Sequence, residues 1–125
     1  MEDLLNKESV QRVVKVLSNF DDSLKVEVLN SSARTAKDAA ISLKCEVGAI
    51  VKSLLLRTKS SFLLCLVAGD KRCSLNKIKK LLNEKDVSMA NAEQVKEITG
   101  FTIGGVSPVG HLNKIDIFID HSLER

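Results

Sequence analysis

Val10, Val13, Val14 and Leu17 recur three or four positions apart, the spacing that gathers side chains on one helix face. Residues 4–19 are therefore predicted to form an amphipathic helix. The period then changes. In "LKVEVLN" apolar and polar residues alternate and β-branched types are frequent, which predicts a strand over 24–29. "TAKDAAISL" returns to the helical spacing, with Ala36, Ala39, Ala40 and Leu43 on one side. Thr35 followed three residues later by Asp38 resembles a capping box, so a short helix is expected over 35–44.

"GAIVKSLLLRTKSSFLLCLVAG" contains two continuous apolar runs, 49–56 and 62–68, joined by a polar turn at Thr58 to Ser61. Continuous rather than alternating runs belong to strands covered on both faces, so this hairpin is expected at the centre of a sheet. Ser74 can cap a further helix carrying Leu75, Ile78, Leu81 and Leu82. Asn91 can cap another, with Ala92, Val95 and Ile98 on one side and Gly100 as its stop. "KIDIFID" predicts a closing strand. Strands and helices are mixed, at least one hairpin is present, and no linker or repeat divides the 125 residues. The expected class is α+β: one domain, 1–125, with helices packed on a mixed, largely antiparallel sheet.

Composition adds little to this picture. Hydrophobic residues make up 44% and charged residues 28%, the balance of a folded soluble protein and not of a disordered chain. No apolar run is long enough to cross a bilayer, and "MEDLLNKESV" is too acidic and polar for a secretory signal. A cytoplasmic protein with no membrane partner is expected. Cys45, Cys65 and Cys73 are odd in number without CxxC spacing, which favours reduced thiols over a disulfide framework or zinc site. The net charge of +3 does not itself announce nucleic-acid binding. Lys71, Arg72, Lys77, Lys79 and Lys80 do cluster within ten residues, as a solvated helix face or a phosphate-facing patch. The lack of Trp and Tyr removes an aromatic platform for stacking bases.

Two features stand out as chemistry. Lys52 interrupts the apolar run "AIVKSLLL", and an amine there must reach the surface, find a partner or face a polar cleft. It is either an outward strand residue or a cation at the floor of a pocket. "FTIGGVSPVGH", 101–111, holds three of the six glycines and the only proline. It matches neither a Walker loop nor a dinucleotide fingerprint. It is an ordinary turn or a main-chain nest for an oxyanion, with Gly104 and Gly105 there for positive φ, close approach of a ligand, or both. His111 directly follows it, and a lone histidine is more often structural or solvated than catalytic; His121 has no partner motif, Ser107 has no GxSxG context, and no Cys/His cluster suggests a metal. No cofactor is expected. Asp116 and Asp120 lie too far apart on a strand to share a proton.

Together, "TAKDAAISL", "IVKSLLL", "LVAGDKR", "AEQVKEITGFTIGGVSPVG" and "IDIFIDHSL" resemble, in order and spacing, the YbaK/ProRS-associated editing domain family. The resemblance runs from about the first helix to the end of the sequence. It implies a trans-editing aminoacyl-tRNA deacylase that hydrolyses the ester of mischarged tRNA. The strand lysine of the family matches Lys52, and its glycine/proline loop matches Gly104, Gly105, Val106, Ser107 and Pro108. Lys52, Gly104, Gly105 and Ser107 are then the expected catalytic positions, acting by charge and main chain and not by a covalent nucleophile. Val106, Pro108, His111, Ser53, Thr35 and Asp120 are the expected substrate-side positions, Asp120 mainly as a support. The implied partners are the acceptor end of mischarged tRNA and, as a candidate, an aminoacyl-tRNA synthetase. Family members continue past "IDxSL" through a further strand and turn, so the sheet is expected to lack that edge element. A non-catalytic tRNA- or protein-binding module and a hydrolase of another acyl ester remain as alternatives.

Overall fold

The two apolar runs form the hairpin of β1 (Val51–Arg57) and β2 (Phe62–Ala68) in the computed structural model, which describes residues 3–29 and 35–124. The polar turn closes on itself, with Thr58 N donating to Ser61 O (2.8 Å) and Ser61 N donating to Thr58 Oγ1 (3.0 Å). β3 (Ser88–Met89) pairs antiparallel with the end of β1, and β4 (Asp116–Ile119) pairs parallel with β2. The order β3-β1-β2-β4 is a mixed, mainly antiparallel sheet, and the α+β class read from the pattern holds.

Alternation along the central strands divides the core into two layers. Leu56, Leu63, Cys65 and Val67 pack with Ile78 of α4 (Leu75–Leu82) and with Val87. Leu55, Leu64 and Leu66 pack with Ala90 and with Val95 of α5 (Ala92–Thr99), and Val106 adds to this layer from the glycine-rich segment. β2 is buried along its length from Leu63 to Ala68. β1 is buried only at Leu55 and Leu56, so its first half escapes the double coverage that the apolar run suggested.

The helix ends follow their local chemistry. Thr35 Oγ1 accepts from Asp38 N (3.0 Å) ahead of α3 (Ala36–Leu43), and Ser74 Oγ accepts from Lys77 N (3.3 Å) ahead of α4. Asn91 and Gln94 form a reciprocal capping box for α5, at 2.8 and 2.9 Å. Gly100 ends α5 with φ +80°, a left-handed conformation that glycine adopts without a Cβ penalty.

Two expectations are corrected at the N-terminal end. The helix predicted over 4–19 is broken at Lys7, whose extended backbone (ψ 140°) separates α1 (Asp3–Asn6) from α2 (Glu8–Phe20). The segment 24–29 forms no strand. Of its alternating apolar positions only Val26 is half-buried, while Leu24 and Val28 are exposed, and the segment joins none of the strands of the described sheet. Among the described residues, no helix is long and apolar enough to cross a membrane.

The turn that leaves β2 is held by close contact. Gly69 N donates to Ile50 O (2.7 Å), and a side-chain carbon at Gly69 would lie 2.3 Å from the Val47 carbonyl oxygen. Gly69→Ala must therefore push the 3-10 turn Val47–Ala49 away from β2. A loss of about 1–3 kcal/mol in urea denaturation is expected. An unchanged midpoint would mean that this turn yields freely.

Candidate functional site

β3 is too short to cover β1. It pairs only with Leu56 and Arg57, and Ala90 N adds one bond to Leu55 O (3.0 Å). Main-chain groups alternate along a strand, so Val51 and Ser53 turn theirs to the same side as Leu55, where no strand of the described residues continues. A hollow of about 350 Å³ occupies this position, bounded by the first half of β1, the start of α3 and the segment 103–106. Of the positions singled out in the sequence, Thr35, Lys52, Ser53, Gly104 and Val106 line it.

Lys52 and Ser53 reach the hollow from opposite faces of β1. Lys52 stands across from Val67, on the α4 side, and its ammonium donates to the Lys71 carbonyl oxygen. Ser53 shares the face of Leu55, beneath the layer that contains Val106. Its hydroxyl oxygen is buried and has no hydrogen-bond partner among the described residues. A buried unsatisfied hydroxyl costs about 1–3 kcal/mol, so this atom is a natural place for a ligand group to bind. Thr35 differs, because its oxygen already caps α3.

The glycine-rich segment leaves the end of α5 and returns to it. Leu112 N donates to Thr99 O (3.1 Å), while Asn113 donates to Ile98 O through N (3.3 Å) and Nδ2 (3.0 Å). Carbonyls that the helix itself leaves unpaired thus close the neck of the loop. Thr99 is fully buried there, donating to Val95 O (2.6 Å) and accepting from Phe101 N (3.1 Å). The loop forms a wall with a hollow on either side. Gly104 and Val106 face the hollow at β1, and Gly105, Val106 and Ser107 face a second one lined also by Ser9, Val10 and Val13 of α2.

This division separates the expected positions. Gly105 and Ser107 lie on the α2 side of the wall, and Pro108 lines neither hollow. Ser107 Oγ accepts from Val109 N (3.2 Å), a bond internal to the loop. His111 is turned inward as well: Nε2 donates to Ser107 O (2.7 Å), and the ring meets Phe101 edge-on at 6.0 Å. Gly104 has φ +85° with open space around it, so its conformation demands glycine and no close approach does. Gly105 is in neither situation. A Cβ there would make only an ordinary contact, 3.6 Å from Thr102 O.

Asp120 lies apart, in a third hollow with Cys65, Cys73, Arg72 and Lys77. Its carboxylate caps the turn His121–Leu123 by accepting from Ser122 Oγ (2.8 Å) and N (3.2 Å), and these bonds hold its pKa below the usual carboxylate value. Burial first, and then the hydrogen bond from Cys73 (3.6 Å), push the Cys65 thiol up to about 12, which leaves it protonated and inert at neutral pH. Lys71, Arg72, Lys77 and Lys80 are exposed.

No pattern in the sequence points to Arg12. Its Nη2 donates to Gly100 O (3.0 Å) and its Nε to Gly110 O (2.9 Å), and its guanidinium stacks 4.9 Å from the Phe101 ring centre. These partners are 88 and 98 positions away, a separation that no local pattern reports.

A profile of the aminoacyl-tRNA editing domain matches residues 30–125. The proline–tRNA ligase of Kosmotoga olearia is 34% identical over 114 residues, covering 87% of this chain and 20% of the ligase. That of Bacillus licheniformis is 36% identical over 98 residues, covering 78% and 17%. The chain thus spans a fifth or less of these relatives' length. A solved structure described as a candidate trans-editing enzyme for prolyl-tRNA synthetase superposes with a TM-score of 0.86 at 41% identity, over 94% of this chain and 74% of that one.

The two adjacent glycines are expected to respond differently. Gly104→Ala forces a Cβ into a left-handed conformation and should cost about 1–2 kcal/mol of stability. Gly105→Ala should be close to neutral by thermal denaturation. Equal losses in the two variants would contradict the backbone geometry described here for the wall.

Proposed function

The chain belongs to the aminoacyl-tRNA editing domain family, as an editing domain of the prolyl-tRNA synthetase type, and we propose that it hydrolyses the ester of mischarged tRNA. The observation that carries this reading is the hollow at the open edge of β1, where the Ser53 hydroxyl, unpartnered among the described residues, meets a glycine-bearing wall while Lys52 borders the same hollow from the other face of the strand. The aminoacyl group enters this hollow, with the ribose of the tRNA 3′ end at its mouth. Water adds to the ester carbonyl, the tetrahedral intermediate collapses, and the ribose oxygen departs with a proton. The products are a free amino acid and uncharged tRNA.

The chain's own part is to place the ester and stabilise its developing negative charge. Lys52 supplies the charge. Its present acceptor is a neutral main-chain oxygen, which an anionic or strongly polar substrate group can replace at modest cost. Ser53 Oγ gains the partner it lacks. The main chain around Gly104 forms the opposite wall at a distance no side chain fills. Gly105, Ser107, Pro108 and His111 act by keeping that wall in shape, and Asp120 supports the chain after β4. Binding of tRNA uses the exposed basic cluster from Lys71 to Lys80. The reaction takes place in the cytoplasm, where newly charged tRNA is released, with an aminoacyl-tRNA synthetase as the source of the substrate. Such hydrolysis is needed because a synthetase pocket separates amino acids differing by one methylene by only about 1–3 kcal/mol.

Two measurements test the proposal. Lys52→Ala should stay folded while its deacylation of a panel of mischarged tRNAs falls at least about tenfold, equivalent to about 1.4 kcal/mol of transition-state stabilisation. Full activity in the folded variant rejects the role of Lys52, and tRNA binding without turnover by the unaltered protein identifies a binding module instead. Affinity for tRNA should weaken with salt, and replacing Lys77 and Lys80 by Gln should flatten the slope by about 0.7–0.9 for each lost phosphate contact. An identical slope would mean that tRNA docks elsewhere.

A further inference from the structure

We propose that Arg12 is a positioning residue for the hollow: from α2 it clasps both ends of the glycine-rich loop and so sets the distance between Gly104 and the open edge of β1. This rests on the editing reading, and it assigns a role to a residue that precedes the segment matched by the family profile.

Three independent observations converge on the clasp. The first is bonding. One guanidinium donates to the carbonyls of Gly100 and Gly110, the residues that bracket the loop, and lies against Phe101 between them. A planar guanidinium presents several donors in fixed directions, so it can bridge two separated oxygens where an ammonium would hold one. Glu8, one helical turn earlier, pairs with the same group and orients it. The second is space. A side-chain carbon at Gly100 would fall 2.4 Å from Arg12 Nη2, and one at Gly110 would fall 3.3 Å from the main chain of Arg12 and Val13. Both glycines have φ +80°, and both leave room for α2 to approach. The third is electrostatic. The cation meets main-chain oxygens just beyond the C-terminal end of α5, where the helix dipole concentrates negative potential.

The consequence for the hollow follows from what holds the rest of the loop. Among the hydrogen bonds of the described residues, those of 102–109 are internal: Gly105 N to Thr102 O, Val109 N to Ser107 Oγ and His111 to Ser107 O. Among the described residues, no hydrogen bond ties Gly104 or Val106 to β1. Their position is inherited from the base of the loop and from the packing of Val106 against the core layer that contains Leu66 and Val95. The base has two fasteners, the return of Leu112 and Asn113 to α5 and the guanidinium of Arg12. Arg12 is the one that reaches both ends of the loop from α2, a separate element, and it is only 18% exposed, so water competes weakly for its bonds.

The test combines hydrogen exchange with kinetics on Arg12→Ala and Arg12→Lys, measured well below their melting temperatures. In Arg12→Ala, the amides of Gly105 and Val109 should exchange faster while those of β1 and β2 stay protected. Its kcat/KM on mischarged tRNA should fall by about tenfold or more. Millimolar guanidinium should restore part of that loss, which a general loss of stability would not allow. Arg12→Lys keeps the charge and the fold but bridges one carbonyl only, and its loss should be intermediate. Faster exchange with unchanged kcat/KM overturns the positioning role, and unchanged exchange overturns the clasp. If the unaltered protein deacylates no mischarged tRNA, the editing reading fails and the positioning role fails with it. The exchange comparison then decides separately whether Arg12 holds the loop.

Discussion

A helix that ends inside a protein must find donors for its last carbonyls. At the end of α5 this requirement organises the whole functional region. Ile98 and Thr99 recruit the main chain of Asn113 and Leu112, so the glycine-rich loop is compelled to return to its starting point. Gly100, just past the helix, offers its carbonyl to Arg12, and this draws α2 onto the same site. The wall of the hollow is therefore a product of helix termination, and its glycines serve that geometry. Gly100 and Gly110 make space for α2, and Gly104 permits the left-handed turn at the tip.

The other side of the hollow has an equally simple origin. β3 contains two residues, and the edge of β1 is left uncovered wherever β3 does not reach. A charged residue and a serine in that uncovered stretch would be costly in the middle of a complete sheet. Here the two alternate across the strand, one toward the Lys71 carbonyl and one into the layer under Val106. The hydroxyl without a partner is the kind of local expense that a folded protein retains where a ligand later meets it.

What the sequence disclosed divides along the range of the forces involved. Caps at Thr35, Ser74 and Asn91 and the stop at Gly100 act over three or four residues, and each was legible. The hairpin was legible because two apolar runs flank one polar turn. Alternation over 24–29 suggested a strand that does not form, since a strand needs a neighbour that periodicity does not describe. The break at Lys7 and the two-residue β3 are too short to leave a period. For the site, Lys52, Ser53, Thr35, Gly104 and Val106 come together in one hollow, while Gly105, Ser107, Pro108, His111 and Asp120 do not line it. Adjacent loop residues look equivalent in a motif, but a wall has two sides. Arg12 was invisible because its partners lie across almost the entire chain.

The uncovered edge of β1 also bears on how the protein behaves in a crowded solution. A strand with unpaired N–H and C=O groups is a template for another strand, and proteins normally blunt such edges with charge, brevity or cover. Here the cover is the loop, the blunting charge is Lys52, and the exposed neighbour is Val51, at 41%. Anything that lifts the loop bares a sticky edge as well as opening the hollow. Variants chosen for a looser wall should then be harder to keep soluble.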